Sequence, residues 1–220
     1  MSLEVAAHCT AVRFGSISGE HPGLHLPAHS RLATGAIPPE SMPAVFLDRD
    51  GVIVRDVHYL RRASQIEVLP GVASLSRLQQ CFRLIVATNQ SGVARGLFTE
   101  DDLLSIHSEL VAHLEQAGVI IDAFYYCPHL DTPAIGPYRC SCRCRKPGIG
   151  MLAQAATDWL IPLQSSYLIG DSLRDVEAGR AAGLAGSILL GATGGKASPE
   201  IEVRNLEEAV DRILEAQPRA

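Results

Sequence analysis

Two carboxylates one residue apart, Asp48 and Asp50, end the apolar run Val45-Phe46-Leu47 and are followed at once by Gly51. In an extended chain alternate side chains share a side, so the two acids face the same way. Like charges that close need a cation between them, or a proton retained by one of them. Either answer makes a catalyst: a carboxylate that binds metal or attacks as a nucleophile, beside a carboxyl that acts as an acid. A strand running into an acidic turn looks the same, so the pair gains meaning only from the rest of the chain.

Three further segments carry groups of the complementary kind. Thr88-Asn89-Gln90-Ser91-Gly92 offers a hydroxyl, an amide and backbone N–H groups. Arg145-Lys146-Pro147 offers two cations, and Gly170-Asp171-Ser172-Leu173-Arg174-Asp175 two more carboxylates. Taken singly, Thr88 reads as a strand-end hydroxyl, Lys146 as a solvated surface charge, and Asp171 with Asp175 as a helix N-terminal pair favoured by the dipole. A separate cluster, Cys127-x-His129, twelve residues, then Cys142-x-Cys144, has the three thiolates and one imidazole of a closed tetrahedral zinc site. Cys140 is a spare thiol able to replace one of them. A disulfide is the competing use of these cysteines, disfavoured if the chain works in a reducing compartment.

Residues 1–42, rich in Gly, Pro, Ser and His, show no sustained period and read as an irregular arm, with Met42 standing just before the first strand as a candidate start. Residues 43–220 read as one α/β domain, a Rossmann-like parallel sheet between helices. Strands are expected over residues 44–47, 83–87, 120–126, 166–169 and 187–190. Pro70 suits the first turn of a helix reaching about Gln80. Thr99 with Asp102 resembles a capping box before Leu103, Ile106, Leu110 and Leu114, and Gly118 closes that helix. Asn205 with Glu208 opens a last helix with the stripe Leu206, Val210, Ile213 and Leu214. Ligands of open parallel sheets bind beyond the carboxyl ends of the strands, and every segment singled out above follows a predicted strand.

The four segments, in this order, resemble the haloacid dehalogenase-like (HAD) phosphohydrolases over about residues 44–195. The phrases TNQSGVARG (residues 88–96) and CRCRKP (residues 142–147) are similar to the subfamily that holds heptose 1,7-bisphosphate 7-phosphatases and histidinol-phosphate phosphatases. The resemblance implies Mg²⁺ bound by Asp48, the Asp50 carbonyl and Asp171, with Asp175 in support. It aligns Cys142 and Cys144, with Cys127 and His129, as ligands of a structural Zn²⁺ that pins the loop carrying Arg145 and Lys146. The roles agree with what phosphoryl transfer requires: Asp48 as nucleophile, Asp50 as acid and base, Thr88 and Lys146 on the phosphoryl oxygens.

Only about twenty residues separate Gly51 from Pro70, too few for a large cap domain, so the site should be open to water, as hydrolysis requires. Asn89, Arg95 and Arg145 are candidate substrate contacts, the arginines for a second anionic group. Ser172 departs from the lysine that some members of the subfamily carry. The expected substrate is a small phosphorylated sugar, in first place a heptose bisphosphate. Histidinol phosphate is the alternative, and a non-catalytic phosphosugar-binding module a distant third. A net charge of −5 argues against nucleic-acid binding, and no apolar run approaches the roughly 20 residues that span a bilayer. With no secretion leader, a cytoplasmic monomer is expected.

Overall fold

Alternation along the central strand decides the architecture. In the computed structural model, which describes residues 23–25, 41–191 and 201–217, Val45 and Leu47 of the strand Ala44–Leu47 face one apolar cluster. Ala44 and Phe46 face another on the opposite side. All four are buried, as a strand covered on both faces must be.

The seven strands are β1 (Gly23–His25), β2 (Ala44–Leu47), β3 (Arg83–Asn89), β4 (Ala123–Cys127), β5 (Tyr167–Gly170), β6 (Gly186–Leu190) and β7 (Ile201–Val203). They form one sheet in the order β1-β4-β3-β2-β5-β6-β7, with β1 antiparallel and the other six parallel. Helices α1 (Glu100–Gln116) and α4 (Leu206–Glu215) contribute Ile106, Leu110, Leu114, Leu206, Val210 and Ile213 to the first cluster. Helix α2 (Gly150–Trp159) contributes Met151, Leu152, Ala155 and Trp159 to the second, and α3 (Leu173–Ala181) contributes Ala178.

The expected strands are all present, with shifted ends. β3 runs through Asn89, so Thr88 and Asn89 belong to the strand itself. β4 starts at Ala123 because the Asp122 carboxylate, not a further ladder residue, accepts from Leu84 N at 3.0 Å. The helix expected from Pro70 is a 3₁₀ stretch, Val72–Leu78. The Thr99–Asp102 capping box forms, and Asn205 Oδ1 accepts from Glu208 N at 2.9 Å. Within the stretch read as an irregular arm, Gly23–His25 pairs with β4, while residues 1–22 and 26–40 lie outside the described residues. Among the described residues no helix is long and apolar enough to cross a membrane.

The chain moves outward from β2 through β3 to β4, then returns to place β5 on the other side of β2. The connections diverge at the carboxyl end of β2, the topological switch point where open α/β sheets bind ligands.

Candidate active site and metal centre

Asp48 leaves β2 at that switch point, its N–H donating to Ile169 O of β5 at 2.9 Å. Because β3, β2 and β5 are parallel neighbours, Thr88, Asp48 and Asp171 reach the same sheet edge. A cavity of about 250 Å³ opens there, lined by Asp48, Asp50, Thr88, Asn89, Arg145, Lys146, Asp171 and Asp175, among others.

The carboxylates of Asp48, Asp171 and Asp175 each bring an oxygen within 4.8 Å of the other two. Lys146 lies among them, 2% exposed, its Nζ 3.1 Å from Asp48 Oδ2 and in contact with Asp175 Oδ1. Burial raises the Asp48 carboxyl to about 7; the Asp175 and Asp50 carboxylates add to the rise and Lys146 opposes it. Burial likewise raises Asp171 to about 6, again with Asp175 adding and Lys146 opposing. For Lys146 burial acts downward, but the charges of Asp48 and Asp175 outweigh it and leave the ammonium above its ordinary value. These carboxylates could hold a divalent cation, since one ion between Asp48 and Asp171 would relieve both.

Backbone geometry brings these groups together. Gly51 has φ +78°, and a Cβ there would stand 2.0 Å from Asp171 Oδ2, so only glycine lets the turn after Asp50 approach the β5 end so closely. Asp175 caps α3, its Oδ2 accepting from Ser172 Oγ at 2.6 Å and Ser172 N at 3.2 Å, while its other oxygen meets Lys146. One Asp175 oxygen thus holds the start of α3 and the other the Lys146 ammonium.

Asn89 lines the cavity and is also tied to the loop of Lys146. Its Nδ2 donates to Lys146 O at 3.1 Å and its Oδ1 accepts from Lys146 N at 2.9 Å. Both ends of the amide hold the lysine's backbone. Arg145 lines the same cavity, but Arg95 lines an adjoining one with His58, Tyr59, Arg61 and Ile135. His58 and Tyr59 border both.

Sequence reasoning missed a network behind Asp50. Arg49, 1% exposed, donates from Nη2 to Asp50 Oδ2 at 2.9 Å and to Gln90 Oε1 at 3.0 Å, and its Nη1 meets His107 Nε2 at 3.2 Å. Gln90 Nε2 bridges Asp50 Oδ2 and Thr88 Oγ1, both at 2.9 Å. The signal was present: an arginine between two carboxylates just beyond a buried strand and a histidine within the apolar stripe of α1 both need partners when buried.

At the end of β4, Cys127, His129, Cys142 and Cys144 converge; Cys140 is not part of this group. Sulfur–sulfur distances are 3.2, 3.3 and 3.5 Å, and His129 Nδ1 lies 3.3 Å from Cys144 Sγ and 3.7 Å from Cys127 Sγ. Ligands at zinc–sulfur distance on a tetrahedron have edges of about 3.7 Å, so the four need move only slightly to close around the ion. Hydrogen bonding from Cys127 and Cys144 drives the Cys142 thiol down, while hydrogen bonding with Cys142 and Cys144 pushes Cys127 up.

The comparisons decide the family. A 146-residue stretch is 42% identical to a D-glycero-beta-D-manno-heptose-1,7-bisphosphate 7-phosphatase from Rhodopseudomonas palustris, covering 66% of this chain and 81% of that protein. The chain belongs to the HAD-like phosphatases. The HAD-hydrolase-like family model matches residues 143–216 of this HAD-like phosphatase. The enzyme of the same name from Escherichia coli K12 is 39% identical over 165 residues, 74% of this chain and 86% of that one. A crystal structure of D,D-heptose 1,7-bisphosphate phosphatase from B. bronchiseptica, complexed with magnesium and phosphate, superposes with a TM-score of 0.70. It is 31% identical and covers 80% of this chain and all of that one.

Proposed function

We propose that this phosphatase is a Mg²⁺-dependent 7-phosphatase of D-glycero-β-D-manno-heptose 1,7-bisphosphate. The observation that carries the chemistry is the Asp48 carboxylate at the end of the central strand, held 3.1 Å from the Lys146 ammonium and facing Asp171. The substrate assignment rests on the relatives' names together with the basic rim of the two cavities, Arg145 in one and Arg61 and Arg95 in the other, which suits a second phosphate.

Asp48 attacks the phosphorus, the P–O bond to the sugar breaks, and Asp50 gives its proton to the departing oxygen. Asp50 then takes a proton from the water that attacks the aspartyl phosphate, so both protons are accounted for. Lys146 and the Thr88 hydroxyl hold phosphoryl oxygens through these steps. Asp48, the Asp50 carbonyl and Asp171 would hold Mg²⁺, which supplies positive charge against the repulsion between carboxylate and phosphate. Cys127, His129, Cys142 and Cys144 would hold a structural Zn²⁺ behind the loop of Arg145 and Lys146. The enzyme would act as a cytoplasmic monomer.

Histidinol phosphate, with its cationic ammonium, fits less well. Glu67 already pairs with Arg55 at 2.6 Å, and Asp56 accepts from His58 N at 2.6 Å. The test is phosphate release with Mg²⁺ from both heptose bisphosphate anomers and from histidinol phosphate. A kcat/KM for the β anomer at least 10²-fold above the other two, about 2.7 kcal/mol of discrimination, is expected. Faster turnover of histidinol phosphate would reverse the assignment, and unchanged hydrolysis by Asp48→Asn would end the mechanism.

A further inference from the structure

Arg49 takes no part in the steps above, yet three elements converge on it. Its guanidinium is always charged, and a buried charge is tolerated only when paired and hydrogen-bonded. Among its described contacts the one carboxylate is Asp50, whose Oδ1 also accepts from Arg49 Nη2 at 3.0 Å and Nε at 3.3 Å. The guanidinium is itself fixed from behind. Arginine only donates, so His107 Nε2 must accept, which sets the histidine as the neutral Nδ1–H tautomer. The His107 ring is fully buried and stacks on Phe124, with centroids 4.6 Å apart at 22°. Gln90, just beyond β3, accepts from Arg49 and donates to Asp50, closing a ring of three side chains.

We infer that Arg49, set by His107 and Gln90, is the positioning residue for Asp50, fixing the plane of its carboxyl group against the leaving oxygen. This rests on Asp50 being the acid of the proposed reaction. Donors from Arg49 and Gln90 fasten the carboxylate on the protein side, while its side chain stays 25% exposed beside the cavity it lines. When the P–O bond breaks and the proton passes from Asp50 to the sugar oxygen, the anion left on Asp50 already faces a guanidinium. That pairing lasts until the second half-reaction, when Asp50 takes the proton from water and is neutral again.

Loss of acid catalysis harms poor leaving groups far more than good ones, which separates positioning from general damage. The measurement is kcat/KM for heptose bisphosphate, a poor leaving group, and for 4-nitrophenyl phosphate, a good one, in Mg²⁺-loaded wild type, Asp50→Asn, Arg49→Lys and the double variant. Asp50→Asn should lose about 10²-fold or more on the sugar phosphate and under about 10-fold on the nitrophenyl ester. Arg49→Lys should lose about 10- to 10²-fold on the sugar phosphate alone. The double variant should be no worse than Asp50→Asn, because the two act as a unit. Equal losses on both esters for Arg49→Lys, or full additivity, would overturn the inference while leaving Asp50 as the acid. Absence of leaving-group selectivity in Asp50→Asn would remove the acid assignment and this inference with it. If Arg49→Lys does not fold, His107→Phe, which keeps the stack and removes the acceptor, should show the same selectivity at smaller size, and a uniform loss there overturns the inference equally.

Discussion

Asn89 and Lys146 are joined by two hydrogen bonds, one in each direction, between a strand-end amide and the backbone of the residue whose ammonium reaches Asp48. The lysine sits on a loop, but its main chain is tied to the sheet. Asn89→Ala should lower kcat/KM about 10- to 10²-fold by loosening that tie. Lys146→Met, which removes the charge itself, should cost about 10²- to 10³-fold or more. Steady-state kinetics on the pair checks the order, and an Asn89→Ala variant as impaired as Lys146→Met would point to a direct substrate contact instead.

The four converging ligands give a prediction with a metal readout. Purified chain should carry one equivalent of zinc, and Cys142→Ser or Cys144→Ser should lower its content and the Tm together. Cys140→Ser should leave both unchanged, because Cys140 is outside the converging group. Chelation should reproduce the thermal loss, as removal of a structural ion does. Zinc analysis beside a thermal melt is sufficient, and a Cys140→Ser variant depleted of zinc would redraw the ligand set.

Mg²⁺ should stabilise the chain more at pH 7.5 than at pH 5. Asp48 and Asp171 are raised from an ordinary 3.8 to about 7 and about 6. The folded chain therefore holds protons there that the unfolded chain has already lost. Without a divalent cation, these two groups make stability fall as pH rises from about 4 to about 7. Mg²⁺ competes with those protons, so its shift in Tm should be small at pH 5 and grow by several degrees at pH 7.5. Melts with and without Mg²⁺ at each pH cancel other titrations, and an equal shift at both would refute the competition.

Gly51→Ala should damage fold and site together. The left-handed φ of +78° and the 2.0 Å approach to Asp171 Oδ2 admit no Cβ without movement. A loss of about 1–3 kcal/mol is expected from the backbone alone, along with weaker Mg²⁺ binding because Asp171 must shift. Chemical denaturation and Mg²⁺ titration measure the two effects, and a variant with unchanged Mg²⁺ affinity would show that Asp171 moves freely.

What the sequence revealed follows the reach of each signal. β2 to β6 were legible because buried parallel strands are short continuous apolar runs, and α1 because its cap and its stripe agree. β1 and β7 were not: each has three residues, too few for a period, and their pairing depends on neighbours far along the chain. The groups that line the cavity were readable as types at strand ends, since a parallel sheet sends every strand end to one edge. The contacts that hold them in place were not. That Asn89 holds a backbone, and that Arg49, Gln90 and His107 stand behind Asp50, depends on side chains crossing between β2, β3 and α1, which no spacing in the sequence encodes.

Cys127 is the last residue of β4 and Cys144 lies two before Lys146, so the four converging ligands clasp the base of an excursion whose ends are 17 positions apart. A flexible loop of that length costs about 2.5 kcal/mol to close, and a metal held by the four ligands would meet that cost independently of the residues in between. Pro133, Ala134 and Ile135, at its far end, line the outer cavity. Substitutions there would reshape that cavity while Lys146, at the base, stays beside Asp48. An ion held by those ligands would leave the shape of the neck independent of what the tip carries.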